Sequence, residues 1–397
     1  MTTMADSPAP VLISIMLNIG TEIGHAYSYN RSVGAAAARL GWRHLAAVQT
    51  GCTIRPLPPD WEICLHPVHY LAKAFWLPVR RSLVPDAASL FRSARTIAAY
   101  LRRTVLPLHR PTILFLEFFA FTHLMALALA LLAVPRRDLS VWLLYRYDVH
   151  RHATRYLYKW LNALLAWLVG ANRLVLMTDS DRLARSLGRL FGRSLTVMPI
   201  PHTELAAAIN HPAWATAPER DGKILCWWPG RPAQEKGLET MRRLAARQSI
   251  EAQQLSLVAA QASGLAQTPG GPLIKLIEDD LPRPDYLGWL QAADLILLPY
   301  ESAAYAERTS GILIEAIAAG KLAAVTGDTW MADELLKYDA ASLIVDWDKP
   351  DLPACLARLA KDTEAQRRVA DMQAAYARWH TEQSYAQTLK ALYEAHH

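Results

Sequence analysis

The sequence predicts an α/β protein built from two doubly wound, Rossmann-like domains facing a cleft. Three observations carry that prediction. The 397 residues are too many for one ordinary core. Runs of strand length alternate with runs of helical period along the chain, the pattern of parallel sheets. The alternation breaks once, over residues 206–222, where Pro212 and Pro218 fall in a stretch of little periodicity. The expected organisation is a first domain over 1–205, a linker over 206–222, a second domain over 223–375, and a helical tail over 376–397 free to pack back on the first.

In the first block, residues 11–18 are a β-rich run. Gly20, Gly24 and Ser28 follow, then a helical stretch over 31–40, and "HLAAV" at 44–48 reads as a second strand. Residues 113–118 and 139–145 are apolar runs of strand length. "NRLVLMT" at 172–178 is another, and "DSDRLARSLGRLFG" after it has helical period. "SLTVMPIPH" closes the block with a strand that breaks at Pro199 and Pro201. The second block opens on the strand "KILCWWPG" at 223–230. A helix over 238–247, a strand over 255–260, a helix over 286–293 and a strand over 295–300 come next. The apolar helix "SGILIEAIAAGK" and a strand over 322–326 follow, and helical segments run from residue 353 to the end.

Composition narrows the class. A hydrophobic fraction of 52% and a charged fraction of 20% belong to a folded chain. Cys52, Cys64, Cys226 and Cys355 form no CxxC pair, which suggests a reducing compartment and neither a disulfide framework nor a zinc site. The opening "MTTMADSPAP" lacks a basic region followed by an apolar one, so a secretory signal is not expected and the expected location is cytoplasmic. Residues 113–134 are long enough to span a bilayer, but Glu117 and His123 interrupt them. They read instead as a buried strand, a turn and a core helix.

The net charge of +6 hides an asymmetry. Residues 1–210 carry 23 Lys and Arg against 11 Asp and Glu, and the rest of the chain is net acidic. From Tyr70 to Arg110, eight basic residues are mixed with apolar ones such as Phe75, Trp76, Leu90, Phe91, Ile97 and Leu101, against the single acid Asp86. That mixture fits helices on an anionic membrane surface, a groove for an anionic acceptor, or the solvated face of ordinary amphipathic helices. No recognisable nucleic-acid module accompanies the charge, so nucleic acid is not an expected partner.

Two stretches of the second block carry chemistry. The apolar helix that begins at Gly311 holds a carboxylate, Glu315, in its middle, and a buried carboxylate needs a partner. Thr309 or Ser310 can cap that helix, and its free N–H groups suit a phosphate. Glu315 would then accept from vicinal hydroxyls of the ligand; the alternative is a salt bridge to a nearby Arg. The second stretch, "GRPAQEKG" at 230–237, places Arg231 and Lys236 on a strand-to-helix loop, where the two can neutralise a diphosphate. The P-loop spacing is absent.

In order, "GRPAQEKG", "YLGWLQAADLILLPY", Glu307 and Glu315 with seven residues between them, and "AAGKLAAVTG" resemble the donor-binding domain of retaining glycosyltransferases of the GT-B fold, family 4 type. The resemblance covers roughly residues 223–335. It implies that Arg231 and Lys236, beside Gly230, hold the donor diphosphate, that Glu315 accepts the ribose hydroxyls, and that Glu307 faces the donor sugar. Thr309, Ser310, Gly311 and Ile312 would supply backbone contacts. The family's Gly-aromatic-Gly after the first Glu is replaced here by Arg308, Thr309 and Ser310, so Arg308 is free to meet an acidic sugar or acceptor. In the first block the resemblance makes Gly20, Gly24 and His25 candidates near the donor phosphates. Asp148 and His150, in "YRYDVHRH", are candidates near the sugar. Glu117, at a strand end, is a candidate acceptor contact.

The resemblance implies transfer of a sugar from a UDP- or GDP-sugar to an acceptor hydroxyl with retained configuration. Two cations on the diphosphate make a divalent metal unnecessary, so no cofactor is expected. "DSD" at 179–181 precedes a helix and reads as a cap, not a metal motif, and "HRH" at 150–152 lacks a third ligand. The basic first half points to a lipid-linked or polysaccharide-precursor acceptor at the inner membrane face. A soluble small acceptor, a nucleotide-sugar epimerase and a non-catalytic glycan- or partner-binding protein are the alternatives.

Overall fold

The computed structural model describes residues 8–21, 25–69, 86–135, 138–201 and 222–396, with every side chain of these except that of His25. Residues 206–221 of the expected linker over 206–222, Gly24 and residues 70–85 lie outside them. The chain forms two compact units, one from Met1–His202 with Glu382–His397 and one from Thr203–Thr381.

The first unit holds a seven-stranded sheet of β1 (Val11–Met16), β2 (Arg43–Gln49), β3 (Trp61–Leu65), β4 (Thr112–Glu117), β5 (Leu139–Tyr145), β6 (Leu174–Thr178) and β7 (Thr196–Val197). Their order is β3-β2-β1-β4-β5-β6-β7, and every pairing is parallel. Helices α1 (His25–Arg39), α2 (Ala87–Thr104), α3 (Phe121–Leu132), α4 (Arg155–Val169) and α5 (Asp181–Phe191) connect them. A sheet covered on both faces buries whole strands, so β1, β4 and β5 are apolar throughout and not alternating. Ile13, Leu114, Leu116, Val141 and Leu143 fill the core on one face. Leu12, Ile113, Phe115, Trp142 and Val175 fill the other, where Tyr385, Ala386 and Leu389 of the C-terminal helix Glu382–His396 join them. Tyr29 Oη donates to Tyr385 Oη at 3.2 Å.

Residues 113–134 are indeed strand, turn and core helix: β4 and α3 are buried almost throughout. No helix among the described residues is long and apolar enough to cross a membrane. In α2, Leu90, Ile97 and Leu101 point into the core while Arg92, Arg95, Arg102 and Arg103 stay outside. The described part of the basic region is therefore a solvated amphipathic helix, with Phe91 the one large apolar side chain exposed on it.

The second unit holds a six-stranded parallel sheet of β8 (Ile224–Trp228), β9 (Leu255–Ala260), β10 (Leu273–Ile277), β11 (Leu295–Leu298), β12 (Ala323–Thr326) and β13 (Ile344–Val345), in the order β10-β9-β8-β11-β12-β13. Its helices are α6 (Leu238–Ala245), α7 (Ile250–Gln253), α8 (Arg283–Ala292), α9 (Ser302–Tyr305), α10 (Gly311–Ala318), α11 (Trp330–Leu336), α12 (Leu352–Leu359) and α13 (Thr363–Trp379). The strand order reverses between β8 and β11. Ligands of open parallel sheets bind outside the carboxyl ends of strands at such a reversal, so the loops after β8 and β11 are the place to look.

Candidate functional site

Those two loops are the two stretches that the sequence singles out. Residues 229–237 follow β8 and end in a short 3-10 turn, Gln234–Lys236. Residues 299–310 follow β11 and lead into α10. Glu301 N donates to Glu235 O at 3.0 Å, and Trp228 Nε1 donates to Lys236 O at 3.1 Å. Gly237 makes this contact possible. Its φ is +83°, and a Cβ there would lie 2.0 Å from the Pro299 carbonyl oxygen. Gly237→Ala should therefore lower stability by about 2–3 kcal/mol, read as a shift of the denaturation midpoint, through strain and a clash with backbone that cannot give way.

Lys236 is the centre of the arrangement. A Cβ on Gly230 would meet its Nζ and Ile312 Cδ1, each at 3.4 Å, so the ammonium and the side chain of Ile312, in the first turn of α10, both border this glycine. It makes no ion pair and no hydrogen bond among the described residues. Burial lowers its pKa. The neighbouring Glu235 carboxylate acts the other way, and the charge of Arg308 adds to the lowering. Arg308 lies over the Tyr305 ring at 5.0 Å and 4.0 Å from the Glu235 carboxylate. Two cations thus share one corner at the start of α10. Ser310 is the cap there: its Oγ accepts from Leu313 N at 3.2 Å.

Glu315 is buried on α10, and its charge is answered from α8. Arg283 Nη1 donates to Oε1 at 2.9 Å and Tyr286 Oη donates to Oε2 at 2.6 Å. The salt-bridge alternative is thus present in this structure. Burial, with the carboxylate beside it, pushes the Tyr286 phenol well above its usual range. Arg231 also has a partner: its Nε donates to Asp280 Oδ1 at 2.9 Å, and its Nη2 reaches Oδ2. Asp280, Arg283 and Tyr286 belong to one short segment, so a single stretch neutralises both Arg231 and Glu315. The Arg231 pair is exposed, and such pairs contribute little.

The first unit carries a second polar cluster, at the carboxyl ends of β4, β5 and β6. Arg146 is buried, donating from Nη1 to Glu117 Oε1 and from Nε to Asp179 Oδ2, both at 2.8 Å. Its guanidinium lies between the rings of Tyr29 and Phe118, 5.1 and 5.2 Å away. Asn30 Nδ2 donates to Glu117 Oε2 at 3.1 Å. Burial raises the Glu117 pKa to about 8 in spite of Arg146. Asp179 is thus an ion-pair partner, while its neighbour Ser180 caps α5. Asp148, before the turn Val149–Arg151, lies 4.0 Å from Arg151 and 3.8 Å from His152; His150 is on that turn. Among the described residues no group of three or more His, Cys, Asp or Glu is arranged for a metal ion.

No protein-family model matches the sequence, and no curated protein does. Solved structures do. Sucrose-phosphate synthase from Thermosynechococcus elongatus is 15% identical, with 98% of each chain covered and a TM-score of 0.62. An α,α-trehalose 6-phosphate synthase from Burkholderia multivorans is 13% identical over 98% of this chain and 97% of that one, at 0.63. HepE from Anabaena, in complex with UDP, is 12% identical over 98% and 100%, at 0.60. The chain has the GT-B fold.

In this GT-B chain the second unit brings together Gly230, Lys236, Arg308, Ser310, Gly311 and Ile312 around one helix start, with Glu315 one turn inside. Glu307 and Thr309 lie half-buried on the same loop. Asp148 and His150 are in the first unit, as are Gly20 and His25; of His25 only the backbone, at the start of α1, is described. Sequence reasoning missed Asp280, Arg283 and Tyr286 as partners of the candidate residues. It also missed Arg146 as the hub joining Glu117 to Asp179. The only available signal was a charged residue directly after an apolar strand, at Arg146 and Asp179.

Proposed function

We propose that the protein is a retaining glycosyltransferase that takes a sugar from a UDP- or GDP-sugar and passes it to a hydroxyl of a lipid-linked or polysaccharide-precursor acceptor. One observation carries the reading: a half-buried lysine, Lys236, whose ammonium makes no ion pair or hydrogen bond among the described residues, beside Arg308 at the start of α10. A half-buried ammonium with no bonded anion is costly, and a diphosphate supplies the paired charge. As the glycosidic bond breaks, the departing diphosphate gains charge, and preorganised cations stabilise that change by a few kcal/mol each. Arg231 joins by exchanging the exposed carboxylate of Asp280 for phosphate, and Glu315 by giving up one donor for a ribose hydroxyl. HepE, of the same fold, binds UDP. The basic first half suits an anionic, lipid-linked acceptor.

The test is thermal stability against a panel of nucleoside diphosphates and nucleotide sugars, with Glu315→Ala alongside. A ligand at roughly a hundred times its dissociation constant adds about 2.7 kcal/mol. A rise with one nucleotide, reduced in the variant, supports the reading and names the base; no rise with any of them overturns it. Affinity is also expected to depend on pH. The lowered pKa of Lys236 in the free protein is restored by a bound phosphate, so binding takes up a proton. Affinity should fall as pH rises through the lowered value, sooner than an ordinary lysine at 10.5 would give. Titration calorimetry of Lys236→Arg, whose guanidinium stays charged, should show no such alkaline loss.

A further inference from the structure

Helix α4 presents an unusual outer face. Its sequence is RYLYKWLNALLAWLV, and Tyr158, Leu161, Asn162, Leu165, Leu168 and Val169 are buried against the sheet and its neighbours. On the opposite side Tyr156 is 65% exposed, Trp160 56% and Trp167 73%. With the exposed Ala163, these positions are spaced four, three and four residues apart, so they form one stripe along about three turns, about 17 Å long. Soluble surfaces scatter large apolar side chains singly; three aromatic ones in one row mark a contact face.

The charge beside the stripe is one-sided. From residue 149 to 178 there is no Asp or Glu, while Arg151, Arg155, Lys159 and Arg173 are present. Lys159 is exposed next to Trp160, and the Arg155 guanidinium lies 4.7 Å from the Tyr156 ring centre. A second copy docked by the same face would set these cations against each other. Tyr and Trp flanked by Arg and Lys suit the boundary between lipid head groups and acyl chains, where the ring is buried and its polar edge stays wet.

We propose that the outer face of α4, with Tyr156, Trp160 and Trp167, rests on an anionic lipid surface. This deepens the lipid-linked acceptor reading and rests on it only for its purpose. It places the membrane contact on α4, whereas α2 turns Leu90, Ile97 and Leu101 inward.

The experiment is co-sedimentation of the full chain with vesicles of phosphatidylcholine alone and of phosphatidylcholine mixed with phosphatidylglycerol, at low and high salt. The wild type should bind the mixed vesicles, more weakly at high salt. The double variant Trp160→Ser, Trp167→Ser should lose about tenfold or more on them. Lys159→Glu should weaken binding to mixed vesicles only, and should the double variant fail to fold, this exposed substitution carries the test. Phe91→Ser on α2 should bind as the wild type does. The proposal is overturned if the wild type stays in solution, if the α4 variants bind undiminished, or if size-exclusion shows a dimer that the Trp variants dissolve. Nucleotide-induced stabilisation, measured on the same samples, separates the two readings. A chain that binds nucleotide but no vesicle refutes only the lipid contact, and one that binds vesicles but no nucleotide refutes only the donor site.

Discussion

Arg146→Met should destabilise the first unit by about 3–5 kcal/mol, whereas Glu117→Gln should not destabilise it. One guanidinium faces two buried carboxylates, so a single positive charge balances only one of them. The balance is met by protonating Glu117, whose pKa is pushed up to about 8. Glutamine resembles that neutral acid and keeps an acceptor for Arg146. Methionine fills the volume but takes the Arg146 charge away from the buried Asp179, and it removes the group over the Tyr29 and Phe118 rings. Denaturant unfolding followed by circular dichroism should show an earlier transition for the Met variant and one no earlier than wild type for Gln. Equal effects of the two would contradict this balance. The pH dependence has a definite sign. A carboxyl whose folded pKa is raised contributes stability below its ordinary value of 4.5, and loses it as pH rises toward about 8. Glu117→Gln should flatten that decline.

Lys236→Ala should lower nucleotide affinity or turnover by about a hundredfold or more while leaving stability unchanged or slightly higher. Most substitutions at a half-buried residue weaken the fold, so this combination is diagnostic. The lysine is held beside Arg308 with no bonded anion, and burial disfavours its charge in spite of Glu235, so its removal relieves a cost in the free protein. Its 3-10 turn is positioned by backbone contacts, Lys236 O with Trp228 Nε1 and Glu235 O with Glu301 N, which alanine retains. Titration calorimetry with the nucleotide chosen by the stability panel checks the first half, and a melting curve without ligand checks the second. A variant that unfolds early, or that binds as tightly as wild type, would assign Lys236 a structural role.

Much of the fold could be read before the structure, because strands buried on both faces leave unbroken apolar runs. β5 and β9 match their expected spans residue for residue. The elements missed were of another kind. β3 and β10 lie at sheet edges and are only partly buried, and Glu62 and Lys275 interrupt their runs. α4 escaped notice because its outer face is aromatic, which erases the amphipathic period. At the candidate site, the lone carboxylate of α10 was visible in the sequence, and so were the two cations after β8. Their present partners were not. Glu315 meets Arg283 and Tyr286 across 32 and 29 residues, a proximity set by the order of strands and helices. The Arg146 cluster likewise draws on three strand ends that only the parallel order β4-β5-β6 brings side by side.

The return of the last helix to the first unit has a consequence for how the chain is made. Tyr385, Ala386, Leu389 and Leu392 complete a core begun by Leu12 and Tyr29, so residues made before the second unit wait for residues made after it. The second unit, continuous in sequence, has all its parts available sooner. Domains that fold as units during synthesis generally do so from the amino end. Here that order is reversed: the half begun first is closed last, and until then the face of its sheet reserved for the terminal helix stays open to whatever else can cover it.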